Sequence, residues 1–506
     1  MSDYAWVPIN APKDFAKLEN HLDTEFAPKV VIEDLRRAIS PRVAGVLVEL
    51  GYIDKDYRST FYRHYAKKGR PYREDCVRLH FFDAGVSYDE ERSSLSSTTP
   101  SLEGQYFGFM VLRPTIHSTI GRSVLSPDIR IGARGKAIQG QHVVHLLGHK
   151  LSVWGFPSMS QHADISVCAH VCCWSILRHY SERYSEHREW LLQDITRMVS
   201  QFDPGGLTPS LGLSVVKAER ILQEAGTYPL LIVRNESGAD PKFYAQFLAY
   251  LESGFPLFIG MASKNHAVVA VGHNWVEPPN RKTRGWFNNH AWEQVETILT
   301  IDDNALPYVC VNRDPVTGPI PVKGPDDYDA NDFSAFVVAL PEKIFYSAEV
   351  IEKYSKETLY KFLKAVMPMP AASKLIRRYF VTTVSGLRKF ARNDSALGTQ
   401  LANILMRLKT AQFVWVVEYA SLDQWSKEQI IARAIVDATA SPNDEVPVWF
   451  AHGEQQGYLF DRDMPGVHYQ MIDLERPAGA PLWRMEQNLR RIRNWKSGSA
   501  GAGKAS

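Results

Sequence analysis

Cysteine is scarce in this chain: there are five in 506 residues, an odd count with three of them inside six positions. So sparse and clustered a set is a poor disulfide framework for a long chain, and a reduced, cytoplasmic protein is the expectation. Charge of one sign is lacking too. With 58 basic against 56 acidic side chains the net charge is +2, which gives no reason to expect a nucleic acid or an anionic membrane as partner. Long apolar runs are missing. The longest, such as PLFIGMA and AVVAVG, are strand-sized and fall well short of the ~18 residues a membrane helix needs. The opening MSDYAWVPINAPKDF has neither the basic nor the apolar region of a secretory signal, so none is expected. No internal repeat is visible.

What is present fits a globular protein of several parts. The chain is 45% hydrophobic, 23% charged and 11% aromatic, and its length suggests roughly two to four domains. Residues 1–150 read as an α+β module. In it STFYRHYAKKGRPYREDCVRLHFF suggests helix, turn and strand, and YFGFMVLRPT a buried strand. Cys76 and His80 fall here, and with no ligand set nearby they read as core strand residues. Residues 151–345 bring a helix through SILRHYSERYSEHREWLL, the Gly-Pro-rich loop FDPGGLTPSLGL, and helices in SVVKAERILQEAG and PKFYAQFLAYLESG. Strands FPLFIGMAS, HAVVAVGH and ETILTI follow, with EPPNRKTRGWFNNH as a basic surface insertion. Residues 346–490 form a second α+β module, helical at first and then strand-rich through FVWVVEYA, IIARAIVDATA and EVPVWFAHG. Residues 491–506, ending SGSAGAGKAS, have no means of forming a core and are expected to be disordered.

The three clustered cysteines sit in QHADISVCAHVCCWSIL, Gln161 to Leu177. From Val167 to Leu177 only His170 and Ser175 are polar, the pattern of a helix buried all round. Asp164 and Ser166 are its natural N-cap candidates. Cys168 then falls in the first turn, where free backbone N–H groups and the helix dipole favour a thiolate. Cys172 and Cys173 lie a turn deeper, where cysteine behaves as a small hydrophobe. One reactive thiol with two bystanders is the reading this pattern favours. A metal nest is the rival, with Cys168 and Cys172 spaced i, i+4 and His162 and His170 nearby. No second Cys/His pair with knuckle spacing completes it.

A nucleophilic thiol needs a base and a group to orient that base. His266 opens the apolar run HAVVAVGH, at a strand end that would face a cleft. ETILTIDDN ends another strand in Asp302 and Asp303, either of which could hold an imidazole in the required tautomer. Asp302 directly follows the apolar strand and is the first choice. Gln161 could donate an amide hydrogen bond to an oxyanion, with the Cys168 backbone N–H as second donor. His273, seven residues beyond His266, should face the other side of the strand by alternation.

In this order, glutamine, cysteine helix, SGFP strand, HAVVAVGH and strand-terminal aspartate, residues 151–320 resemble the papain-like cysteine peptidases. The resemblance is nearest the bacterial branch of double-glycine leader (bacteriocin-processing) peptidases. Gly254, Pro256, His266 and Gly272 match that branch as they stand. Ala169 departs from it, since the family has glycine after the nucleophile. The resemblance implies a papain-like domain over 151–345, a helix carrying Cys168 on an antiparallel sheet carrying His266 and Asp302, between two α+β extensions. It implies a peptidase acting on a peptide or protein through Cys168, His266, Asp302 and Gln161, with no cofactor and no metal. The terminal modules would shape access or bind a protein partner. A non-catalytic peptide-binding scaffold, a thiol acyltransferase and a deamidase are the alternatives.

Overall fold

The computed structural model describes residues 3–98, 100–117, 119–161, 168–200, 213–235, 240–279, 289–314, 316, 318–320, 327–341, 344–441, 443–464, 466–475, 482–485 and 488–493. The cap candidates Asp164 and Ser166, His162, nearly all of the Gly-Pro-rich loop, the core of the basic insertion and most of the tail lie outside them. The fold is α+β, built on three large antiparallel sheets. Among the described residues no helix is long and apolar enough to cross a membrane.

The first sheet runs Tyr4–Pro8, Gly45–Tyr52, Cys76–Phe82, Tyr106–Leu112, Ile120–Leu125, His149–Ser158, Gly140–Leu146. Its third strand, CVRLHFF, is buried at every residue because both faces are covered. Val77, Leu79 and Phe81 join a core with Val31, Ile32 and Leu35 of the helix Pro28–Ala38. Cys76 and Phe82 join another with Tyr57 and Phe61 of the helix Lys55–Arg63. The split follows the two-residue period of a strand. His80 sits in the same strand between the Tyr106 hydroxyl, 2.9 Å away, and Glu49, 3.1 Å away.

The second sheet orders Tyr228–Val233, Ala335–Leu340, Leu257–Met261, His266–Trp275, Val295–Ile301, Val309–Asn312. The third orders Leu375–Thr383, Phe413–Ser421, Ala432–Asp437, Val448–His452, Gln456–Phe460, Tyr469–Asp473.

Two boundaries differ from the sequence expectation. Position 150 falls inside the strand His149–Ser158, which pairs with Ile120–Leu125 and keeps the first sheet continuous to Ser158. Lys136–Ala137, inside the first module by sequence, instead pairs with Gly272 and His273 of the second sheet. On their other edge Ala137 and Lys136 pair with Arg490 and Arg491, so the chain holds sheet structure past 490.

The helix Cys168–Arg183 links these layers. Every residue from Ala169 to Tyr180 is buried, so it has no solvent face and must be enclosed by protein. Trp174, Ile176, Leu177 and Tyr180 carry the apolar share, each contributing about 1.5–3 kcal/mol when fully buried. The Arg178 guanidinium, 1% exposed, donates to Asp56 at 2.8 Å, and Asp56 also accepts from Trp174 Nε1 at 3.0 Å. That pair ties the helix to the first module, because either charge left alone there would carry a large desolvation cost. The helix stops at Arg183 rather than running on through the EHREWLL segment. A separate helix, Leu192–Ser200, begins where the Asp194 carboxylate accepts the Leu191 N–H at 3.1 Å, a local cap that competes with continuation.

Candidate active site

Local chemistry sets the position of each site residue. The helix Pro241–Glu252 ends at Gly254, whose φ of +78° is a left-handed conformation natural to glycine. The chain then enters the strand Leu257–Met261 after Pro256. A turn at residues 262–265 follows, closed by Asn265 at φ +46°, a residue type that tolerates this region. His266 emerges directly from the turn, paired across the hairpin with Met261. Further along this strand a Cβ at Gly272 would collide with the Lys136 backbone, so glycine permits the close approach of Lys136–Ala137.

The strand Val295–Ile301 delivers Asp302 and Asp303 from its end. His266 Nε2 stands 3.1 Å from Asp302 Oδ1. The same oxygen accepts the Asn304 N–H at 3.0 Å, and Oδ2 accepts the Tyr328 hydroxyl at 3.0 Å. Tyr328 also meets Thr300 Oγ1 at 3.0 Å and sets its ring against the imidazole with centroids 6.2 Å apart. Burial opposes the charge on Asp302, but the His266 hydrogen bond and charge, the Asn304 N–H and the Tyr328 hydroxyl outweigh it and lower its pKa. Asp303 differs. Its Oδ1 is 4.0 Å from His266 Nε2, and neither of its oxygens has a hydrogen-bond partner. Burial and the charge of Asp302 push its carboxyl up to about 7.

Cys168 is the first residue of its helix and is half-buried. It hydrogen-bonds His266. Burial works against a charged imidazole here, but the hydrogen bonds and charges of Asp302 and Cys168 prevail and hold its pKa up at about 10. The other cysteines of the cluster are fully buried, and burial pushes both thiols up. Cysteine, histidine and aspartate thus meet although they are 98 and 36 positions apart in sequence.

Gln161 is half-buried at the exit of the first sheet, upstream of the helix. Its backbone carbonyl lies 3.5 Å from Arg113 Nη2, which also donates to the Ser160 carbonyl at 3.0 Å. Among the described residues, no hydrogen bond joins the Gln161 side chain to the other three. Sequence reasoning missed Tyr328, Thr300 and Arg113: Tyr328 lies in the polar stretch GPDDYDAN, while Thr300 in ETILTIDDN and Arg113 in YFGFMVLRPT sit in strand stretches where nothing marks them out.

His273 does not follow from alternation. A bulge between Ala270 and Gly272 adds a residue and resets the face count. Its partner decides instead: His273 Nε2 lies 2.6 Å from Glu252 Oε1, away from Cys168. Among the described residues, the set of His, Cys, Asp and Glu groups with metal-compatible spacing is His266, Asp302 and Asp303, with ligand atoms within 4.8 Å of one another. The cysteine cluster is not part of it.

No protein-family model, curated protein or solved structure matches this chain significantly. Its functional reading therefore rests on the site itself.

Proposed function

We propose that the chain is a papain-like cysteine peptidase that cleaves a peptide or isopeptide bond through Cys168. One observation carries this reading: His266 hydrogen-bonds Cys168 at a buried helix's first residue and Asp302 at a strand end. An imidazole held charged to about pH 10 beside the thiol supplies the acid that acyl transfer needs.

The thiolate sulfur attacks the substrate carbonyl carbon, and the C=O electrons move onto oxygen. Gln161 and the Cys168 backbone N–H would stabilise that oxyanion. As the carbonyl re-forms, the C–N bond breaks and the leaving amine takes the proton from His266, giving a thioester. Neutral His266 then draws a proton from water, whose oxygen attacks the thioester and releases the acid, and the thiol is regenerated. Asp302 fixes the ring and its tautomer throughout. The helix buried against an antiparallel sheet supports a papain-like arrangement. The first and third sheets flank it and would shape access or receive a protein partner.

A peptide-like electrophilic thiol probe tests the reading. Wild type should be labelled once at Cys168, and Cys168→Ala should not be labelled. Labelling that survives in Cys168→Ala would return the chain to the peptide-binding scaffold reading.

A further inference from the structure

Asp303 has no role in the mechanism above, yet it is held where a carboxylate is costly. It is 3% exposed, and both carboxylate oxygens are buried without a hydrogen-bond partner. A buried carboxylate in that condition calls for a proton or a cation. It also points into a set. His266 Nε2 is 3.1 Å from an Asp302 oxygen and 4.0 Å from an Asp303 oxygen, and the three ligand atoms lie within 4.8 Å of one another.

We propose that His266, Asp302 and Asp303 form a three-ligand site for a divalent transition metal of the Zn2+ class. Nitrogen and oxygen ligands hold zinc at about 2.0–2.2 Å, so ligand atoms around one ion stand about 3.4 Å apart. Movements of about an ångström at the side-chain ends close the present spacing to that figure. Two carboxylates balance the ion's charge, and an imidazole in the set favours zinc-like ions over magnesium or calcium. Three protein ligands leave a fourth position for water.

Cys168 is not one of the three ligands, and the site does not depend on the peptidase reading.

The test uses the full chain, stripped with EDTA and titrated with ZnCl2 against a chromophoric chelator. Wild type should take up one equivalent. Asp303→Asn and His266→Gln should each weaken binding on the order of tenfold or more, and Cys168→Ala should bind as wild type does. Circular dichroism establishes that each variant is folded, with Asp303→Ser as the second probe of that position. Absence of uptake, uptake unchanged in both Asp303 variants, or uptake lost in Cys168→Ala overturns the site.

Discussion

The Tyr328 hydroxyl donates to Oδ2 of Asp302 at 3.0 Å, on the oxygen turned away from His266. It therefore steers the other oxygen toward the imidazole. Tyr328→Phe removes that donor and leaves a buried carboxylate one bond short, which costs about 1–3 kcal/mol. Denaturant unfolding should register the loss. Cys168 labelling should slow, but less than in His266→Ala.

Iodoacetamide near neutral pH should label Cys168 well before Cys76, Cys172 or Cys173. The last three are buried with thiols pushed up by that burial, while Cys168 is half-buried beside a charged imidazole. Mass mapping of the modified peptides gives the order. Equal labelling in the native protein would sink the nucleophile assignment.

His266→Ala should abolish rapid labelling of Cys168 by a peptide-like electrophile while the chain stays folded. Asp302→Asn keeps the imidazole but loses the carboxylate 3.1 Å from Nε2, and should reduce turnover by a factor on the order of 10 to 10⁴. Asp303→Asn should be close to neutral in metal-free buffer, since its oxygens make no hydrogen bond. Comparing the three rates on one substrate or probe separates the two aspartates. An unchanged rate in His266→Ala would leave the thiol without a base.

His273 and Glu252 matter for stability rather than chemistry. Glu252 takes His273 on one oxygen at 2.6 Å and Arg378 Nε on the other. Arg378 Nη1 continues to Glu418 at 2.7 Å, which in turn holds Arg433 at 3.0 Å. All five side chains are nearly fully buried, and the chain of charges joins the second sheet to the third. Glu252→Ala leaves Arg378 and Arg433 sharing the one carboxylate of Glu418, so one buried positive charge is uncompensated, and should cost about 3–5 kcal/mol. Thermal unfolding should show this with Cys168 labelling unchanged in the folded protein.

Two buried histidines should contribute a loss of stability as pH falls below their ordinary value. Burial holds the His80 imidazole down at about 4, with Glu49 opposing in part, and burial also holds His290 down at about 4. Their ordinary value is 6.5. Between pH 6.5 and 4 the unfolded chain therefore binds protons that the folded chain refuses, and stability declines as pH falls. Glu352 extends the loss. Burial would raise its pKa, but Arg377 outweighs this and holds it at about 2 against an ordinary 4.5. Its stabilisation is thus present above pH 4.5 and lost as pH falls toward 2. Denaturant midpoints from pH 8 to 4 check the first part, and His290→Gln should flatten the curve between 6.5 and 4.

The sequence by itself determined the α+β character, the buried cysteine helix and the hairpin that presents His266. Each of those is a local signal: alternating helix and strand patterns, the apolar run from Val167 to Leu177, and the strand that follows Gly254 and Pro256 with the apolar run opening at His266 after it. Tertiary structure alone decided the rest. Asp302 was separated from Asp303 by which carboxylate meets Nε2, a difference of 3.1 against 4.0 Å between adjacent residues that no pattern encodes. Tyr328 reached the site by chain closure, and a single bulge between Ala270 and Gly272 undid the face count for His273. Lys136–Ala137 and Arg490–Arg491 crossed the sequence-drawn borders, because apolar periodicity reports that a strand will be buried but not which strand edge it will meet.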